Sequence, residues 1–109
     1  MNKAILIGRL TRDPELRTTP TGRNVCQFAI AVNRTYTSAS GEREADFINC
    51  VVWDKQAEFA GEYVKKGRLV AVEGRITVNK WKDVSGEEKE RFLIVANNIR
   101  LLGSKKDEA

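Results

Sequence analysis

The sequence predicts an all-β domain, a five-stranded Greek-key barrel with one helix between the third and fourth strands. Three observations carry that expectation. Apolar side chains alternate with polar or small ones over five separate segments, the period-2 pattern of strands with one face toward a core. A single stretch has helical spacing, and it stops at Gly67. Polar, turn-forming clusters separate the segments.

Taken in order, Lys3 to Leu10 reads as a first strand, with Ile5 and Ile7 on one face and Ala4, Leu6 and Leu10 on the other. Thr11 to Arg23 is polar and holds Asp13-Pro14 and the turn-forming Pro20-Thr-Gly22. Asn24 to Arg34 is a second strand, in which Cys26, Phe28, Ile30 and Val32 form a core face opposite Gln27, Ala29, Ala31 and Asn33. Thr35 to Glu44 is a polar, glycine-containing loop, and Ala45 to Trp53 is the third strand. Asp54 is placed to cap a helix through Lys55 to Lys66, with Ala60, Tyr63 and Val64 as its apolar stripe. Arg68 to Val78 alternates again, with Val70, Val72, Ile76 and Val78 on the core side. A charged hairpin tip at Val84-Ser-Gly86-Glu leads to a last strand, Arg91 to Leu102. This order of strands and helix is that of an OB-fold, whose second and third strands and loops take up oligonucleotides or oligosaccharides.

At 109 residues the chain supports one domain. The expected division is a barrel over residues 1–103 and a short disordered end over 104–109. A formal charge of +4 is compatible with a polyanionic partner and too small to establish one. Cys26 and Cys50 fall on apolar strand faces in a chain with no histidine, so they read as buried free thiols in a reducing compartment, not as metal ligands or a disulfide. The apolar run near Met1 is too short for a membrane span or a signal segment, so the protein is expected to stay in the cytoplasm where it is made. No cofactor is expected. An enzyme would need a poised base or nucleophile. The chain offers no histidine and no glycine-rich phosphate loop, and Glu44 with Asp46 lacks a spacing that would hold a catalytic metal.

The third strand is the informative one. Ile48, Cys50 and Val52 are fit to fill a core, which leaves Phe47, Asn49, Val51 and Trp53 facing away from it. Two large aromatics on an outer face are either buried by a second layer or a subunit contact, or are a platform on which bases stack. If the alternation of the fourth strand continues into the hairpin, Trp81 points the same way as Arg75 and Thr77, away from the core, between Lys80 and Lys82. Tyr36 sits beside Arg34 at the root of the long loop. Exposed aromatics with cations nearby suit a single strand, because every base has a π face and duplexes hide it.

Asn2-Lys-Ala-Ile-Leu-Ile-Gly-Arg-Leu-Thr-Arg-Asp-Pro-Glu-Leu-Arg17, Ala45 to Trp53, Ala57 to Gly67 and Val72-Glu-Gly-Arg75, in this order and spacing, resemble the bacterial single-stranded DNA-binding protein family over residues 2–103. The resemblance implies an OB-fold that assembles as a homotetramer and wraps single-stranded DNA without strong sequence preference, in replication, recombination, repair or DNA uptake. It places base-stacking aromatics at Tyr36, Phe47, Trp53 and Trp81, and phosphate-contacting cations at Arg17, Lys55, Lys66 and Lys80. Sequence geometry adds Arg9, Arg34, Arg75 and Lys82. An OB-fold module that binds RNA or a protein is the alternative. Family members usually continue into a linker with an acidic, phenylalanine-ended tip that recruits replication and repair enzymes. This sequence ends at Lys105-Lys-Asp-Glu-Ala109, so the expectation is a chain that coats DNA without recruiting them.

Overall fold

The computed structural model describes residues 1–37, 39, 41 and 43–103, without the side chains of Tyr36, Thr37 and Arg43. The expected disordered end over 104–109 lies outside the described residues. The elements are β1 (Ala4–Leu10), β2 (Glu15–Thr18), β3 (Asn24–Thr37), β4 (Arg43–Trp53), α1 (Asp54–Tyr63), β5 (Leu69–Lys82) and β6 (Glu88–Leu101). β1 runs antiparallel to β5 from Ala4↔Gly74 to Arg9↔Leu69, and its end also pairs with β3 at Arg9↔Ala31 and Leu10↔Ile30. β5 pairs with β6, β6 meets β4 in parallel at Cys50↔Ile94 and Val51↔Val95, and β4 pairs with β3. The circuit β1-β5-β6-β4-β3 therefore closes on itself, giving the five-stranded OB barrel that removes its own sheet edges.

Closure depends on two close approaches of backbone to backbone. β1 changes partner from β5 to β3 near Gly8, where a Cβ would lie 2.5 Å from the Ala31 carbonyl oxygen. At Gly74 a Cβ would overlap the Val95 carbonyl and the Ala96 Cα. Beside it, the register between β5 and β6 steps from Glu73↔Asn98 to Gly74↔Ala96, so Asn97 is a bulge residue on β6. The bulge switches which residues of β6 face inward: Ile94 and Ala96 are buried before it, and Ile99 is buried after it.

The core is filled chiefly by Cys26, Phe28 and Ile30 of β3, Cys50 and Val52 of β4, and Val70 and Val72 of β5, each nearly or wholly inaccessible. Ala57 and Ala60 of α1, both fully buried, let the helix lie close against the barrel, with Val64 just beyond it. Arg68, also buried, donates from Nε to the Leu102 carbonyl and from Nη2 to the Gly103 carbonyl, fixing the chain where it leaves β6. Among the described residues no helix is long and apolar enough to cross a membrane.

Four details depart from the sequence reading. The polar stretch 11–23 contains β2, a strand of four exposed residues that adds to the outer edge of β3. It lacks an alternating apolar pattern, because even Leu16, which lies beside Gly61 of α1, is 46% exposed. β3 and β4 extend further than expected, shortening the loop between them. Ile76 and Val78 share a face with Val70 and Val72 but are 44% and 45% exposed. β5 and β6 are each 14 residues long while β1 has 7 and pairs only as far as Gly74, so beyond Ile76, whose partner Ile94 still pairs with β4, they leave the barrel as a two-stranded arm. The helix begins at Asp54 itself, with Trp53 in the cap position and no side-chain cap bond, and Tyr63 is exposed against Phe59, which takes the place assigned to it against the core.

Two outcomes test this packing. Gly74→Ala forces backbone apart at the bulge, and is expected to cost on the order of 2–3 kcal/mol in denaturant unfolding. Burial pushes the Cys26 thiol up to about 11, with a smaller contribution from Glu15, and burial pushes Cys50 up to about 12, from an ordinary value of 9.0. The folded state thus keeps protons that the unfolded chain releases, so the stability tied to these thiols is whole below pH 9.0 and declines as pH rises toward 11 and beyond. Urea midpoints measured across that range should show a shallower decline in Cys50→Ala than in the unmodified chain, from a lower starting stability.

Candidate nucleic-acid interface

Residues directly opposite one another in a sheet project from the same side, so register decides which side chains share a face. On the outside of the barrel, Val25 of β3 is opposite Arg17 of β2 and Trp53 of β4. Ala31 of β3 is opposite Arg9 of β1 and Phe47 of β4. Between these rows, Glu15, Gln27, Val51, Val95 and Arg75 form a continuous line from β2 across to β5. On β5, Thr77, Asn79 and Trp81 follow Arg75 by alternation, opposite Leu93, Arg91 and Lys89 of β6. Trp53, Phe47, Trp81, Arg9, Arg17 and Arg75 therefore belong to one outward surface.

Phe47 is 73% exposed and Trp81 is 45% exposed, whereas Trp53 is half-buried. The guanidinium carbon of Arg23 lies 4.5 Å from the Trp53 ring centroid, over the ring. Arg23 also forks onto Asp54, donating from Nε to Oδ1 at 3.2 Å and from Nη2 to Oδ2 at 3.0 Å. These hydrogen bonds hold the Asp54 carboxyl below the usual carboxylate range and raise Arg23 in turn. The remaining face residues of β3, Ala29 and Ala31, are small, which leaves the surface between the aromatics unobstructed.

The other expected residues fall in several places. Lys55 is exposed in the first turn of α1, next to Trp53 in the chain, and Lys66 is exposed after the helix, its backbone N–H donating to Asp13 Oδ1. Arg9 donates from Nη1 to the Gly67 carbonyl, and Arg17 pairs with Glu15. Lys80 and Lys82 alternate to the reverse side of the arm from Trp81, yet all three line a groove of about 520 Å³ with Glu88, Lys89 and Glu90. Arg34 projects from the reverse side of β3 relative to Ala31 and Phe47, paired with Glu44 at 2.9 Å and Asp46 at 2.9 Å. Those hydrogen bonds hold Asp46 below its ordinary value and balance the charge of Arg34. The Tyr36 side chain lies outside the described residues.

Sequence reasoning missed three cations on or beside this surface: Arg23, Lys89 and Arg91. Arg91 and Lys89 become visible only once β6 is registered against β5, opposite Asn79 and Trp81. Arg23 carried a weak signal, two residues before Val25 and hence on its face. Among the described residues no group of His, Cys, Asp and Glu could hold a metal ion.

A closed barrel of this topology, with outward aromatics beside Arg and Lys, is an OB module of the kind that binds nucleic acids. The profile of the Single-strand binding protein family matches residues 1–102, and the chain belongs to that family. It is 50% identical over 105 residues to Single-stranded DNA-binding protein 1 of Staphylococcus aureus (strain MSSA476), covering 96% of this chain and 67% of that one. It is 49% identical over 102 residues to Single-stranded DNA-binding protein 2 of Listeria innocua, covering 94% and 64%. With Single-stranded DNA-binding protein A of Bacillus subtilis the identity is 47% over 105 residues, covering 96% and 61%. The chain thus spans about two thirds of the length of these relatives.

The exposures separate surface from core in a measurable way. Phe47→Ala is expected to leave thermal unfolding within about 1 kcal/mol of the unmodified chain, as is usual for surface substitutions. Phe28→Ala, at a position 2% exposed, is expected to cost about 3–5 kcal/mol.

Proposed function

We propose that this chain binds single-stranded DNA without strong sequence preference, stacking bases on Phe47, Trp53, Trp81 and Tyr36 and pairing phosphates with surrounding cations. The observation that carries the reading is the single outward surface joining Trp53, Phe47 and Trp81 with Arg9, Arg17 and Arg75. Lys55, Lys66, Lys80 and Lys82 extend the path of positive charge; none of them takes part in an ion pair found among the described residues. Arg34, neutralised by two carboxylates, contributes less, and acts through the loop root instead of the stacking face. The names of the relatives from Staphylococcus, Listeria and Bacillus support the same ligand. The processes served are those that expose single strands, namely replication, recombination, repair or DNA uptake, in the cytoplasm.

The assembly is a homotetramer. Ile5 and Ile7 on the outer face of β1 are 65% and 54% exposed, and the arm exposes Ile76, Val78 and Phe92. Val78 lies opposite Phe92 and next to Ile76 on the same face, so the arm carries an exposed apolar stripe of three residues that a second copy can cover. Recruitment of other enzymes requires an acidic segment that the described barrel does not supply.

One set of titrations tests ligand and assembly together. Native mass measurement with and without oligo-dT is expected to give four copies with bound oligomer; a monomer at micromolar concentration rejects the tetramer. Trp81→Ala is expected to weaken binding to a short oligo-dT by about 1–3 kcal/mol, or about 5- to 150-fold, with thermal stability nearly unchanged. Affinity should fall with salt at a log-log slope of about −0.7 for each phosphate neutralised. Equal affinity for duplex DNA, or a slope near zero, rejects the site; preference for a matched RNA oligomer turns the assignment to RNA.

A further inference from the structure

We infer that Arg23 is the resident occupant of the Trp53 stacking face, held there by Asp54, and that a bound strand exchanges it for a base while the guanidinium passes to a phosphate. The inference rests on the single-stranded DNA reading given above and assigns to this chain a built-in restraint on its own affinity.

Position comes first. Trp53 is opposite Val25, and Arg23 precedes Val25 by two residues, so Arg23 is the diagonal neighbour of the indole on the outer face. Its guanidinium is over the ring at 4.5 Å, the separation at which a stacked base would also have to sit. Both cannot occupy that place. The parallel pair of hydrogen bonds to Asp54 fixes the plane and position of the guanidinium, which one bond would not do.

Asp54 is shaped for this task in a second, independent way. It is the single non-glycine residue with positive φ among those described, at φ 59°, although it opens a helix. A residue in that sparsely populated region is retained where its surroundings hold it. Its carboxylate bonds to Arg23 and to no backbone N–H of the helix. Both carboxylate oxygens turn instead to Arg23.

The latch is also weak enough to open. The two side chains are 55% and 60% exposed, so water competes for the ion pair and salt screens it. Stacking of a base on an indole outweighs an exposed cation–π contact. An arginine released beside a polyphosphate chain finds an acceptor suited to its fork. Opening leaves the Asp54 carboxylate uncompensated near the strand, so Asp54 opposes binding and Arg23 both blocks and then assists it. Apparent affinity is reduced by the fraction of molecules with the face free, so a latch closed about nine-tenths of the time lowers it about tenfold.

The test uses the full chain, a short oligo-dT and four proteins: unmodified, Asp54→Asn, Glu62→Gln and Arg23→Gln. Asparagine accepts a positive φ as readily as aspartate, so Asp54→Asn keeps the backbone while losing the charged fork. Glu62→Gln removes the same charge from the same helix without touching Arg23. Asp54→Asn is expected to bind about three- to tenfold more tightly than Glu62→Gln. Arg23→Gln is expected to shallow the salt slope by about 0.7, the signature of one lost phosphate partner. Equal affinities for Asp54→Asn and Glu62→Gln, or an unchanged slope in Arg23→Gln, overturn the latch while leaving single-strand binding intact. Failure of the unmodified chain to bind oligo-dT overturns the underlying reading instead.

Discussion

β4 is held between β3 along most of its length and β6 at Cys50 and Val51, and this double pairing obliges its two faces to live in different surroundings. Cys50 and Val52 fill the barrel interior opposite Phe28 and Cys26 of β3, and both are almost wholly inaccessible. Alternation then sends Phe47 and Trp53 outward whatever they are needed for. A slip of one residue would put the aromatics inside and the small aliphatic residues outside, which neither the volume of the core nor the thiol of Cys50 would tolerate. The outward aromatic face, the proposed ligand surface, is thus the reverse side of the same pattern that makes the core, and both are specified by one strand.

Much of this was legible beforehand because period-2 alternation is strong in β1, β3 and β4. Parity alone puts Cys50 and Val52 inside and Phe47 outside, and the observed burial agrees, but Ile48 and Trp53 are each half-buried and Val51, on the outward side by parity, is only 4% exposed because its neighbours cover it. What sequence could not show was set by pairing partners. Ile76 and Val78 look like core residues because they continue the rhythm of Val70 and Val72; only the shortness of β1 reveals that the barrel has ended. β2 was hidden because an exposed edge strand of four residues has no buried face to leave a pattern. Asn97 reverses the inward parity of β6, and a bulge of this kind is set by the pairing of β6 with β5 and not by any residue pattern within β6.

The charge pattern divides in the same manner. A count of Lys and Arg treats Arg34 and Lys80 alike, yet the first is balanced by Glu44 and Asp46 on the reverse side of the β3–β4 hairpin. Arg23, by contrast, looked unremarkable in a turn until register put it above an indole. The partner of each cation matters more to a phosphate chain than the total of +4.

The arm formed by β5 and β6 has a mechanical meaning. A two-stranded ribbon with no third strand is marginal by itself, so its order is borrowed from the barrel and fades toward the tip at Gly86. Trp53 stands on the closed barrel, where positional freedom is small, while Trp81 stands seven residues beyond Gly74 on the ribbon. In the proposed binding mode, Trp53 would be an anchored stacking point and Trp81 a compliant one. A polymer whose bases differ in size and whose backbone has many conformers is better followed by such a pair than by two rigid pegs, since the spacing between the points adjusts to whichever nucleotides lie between them.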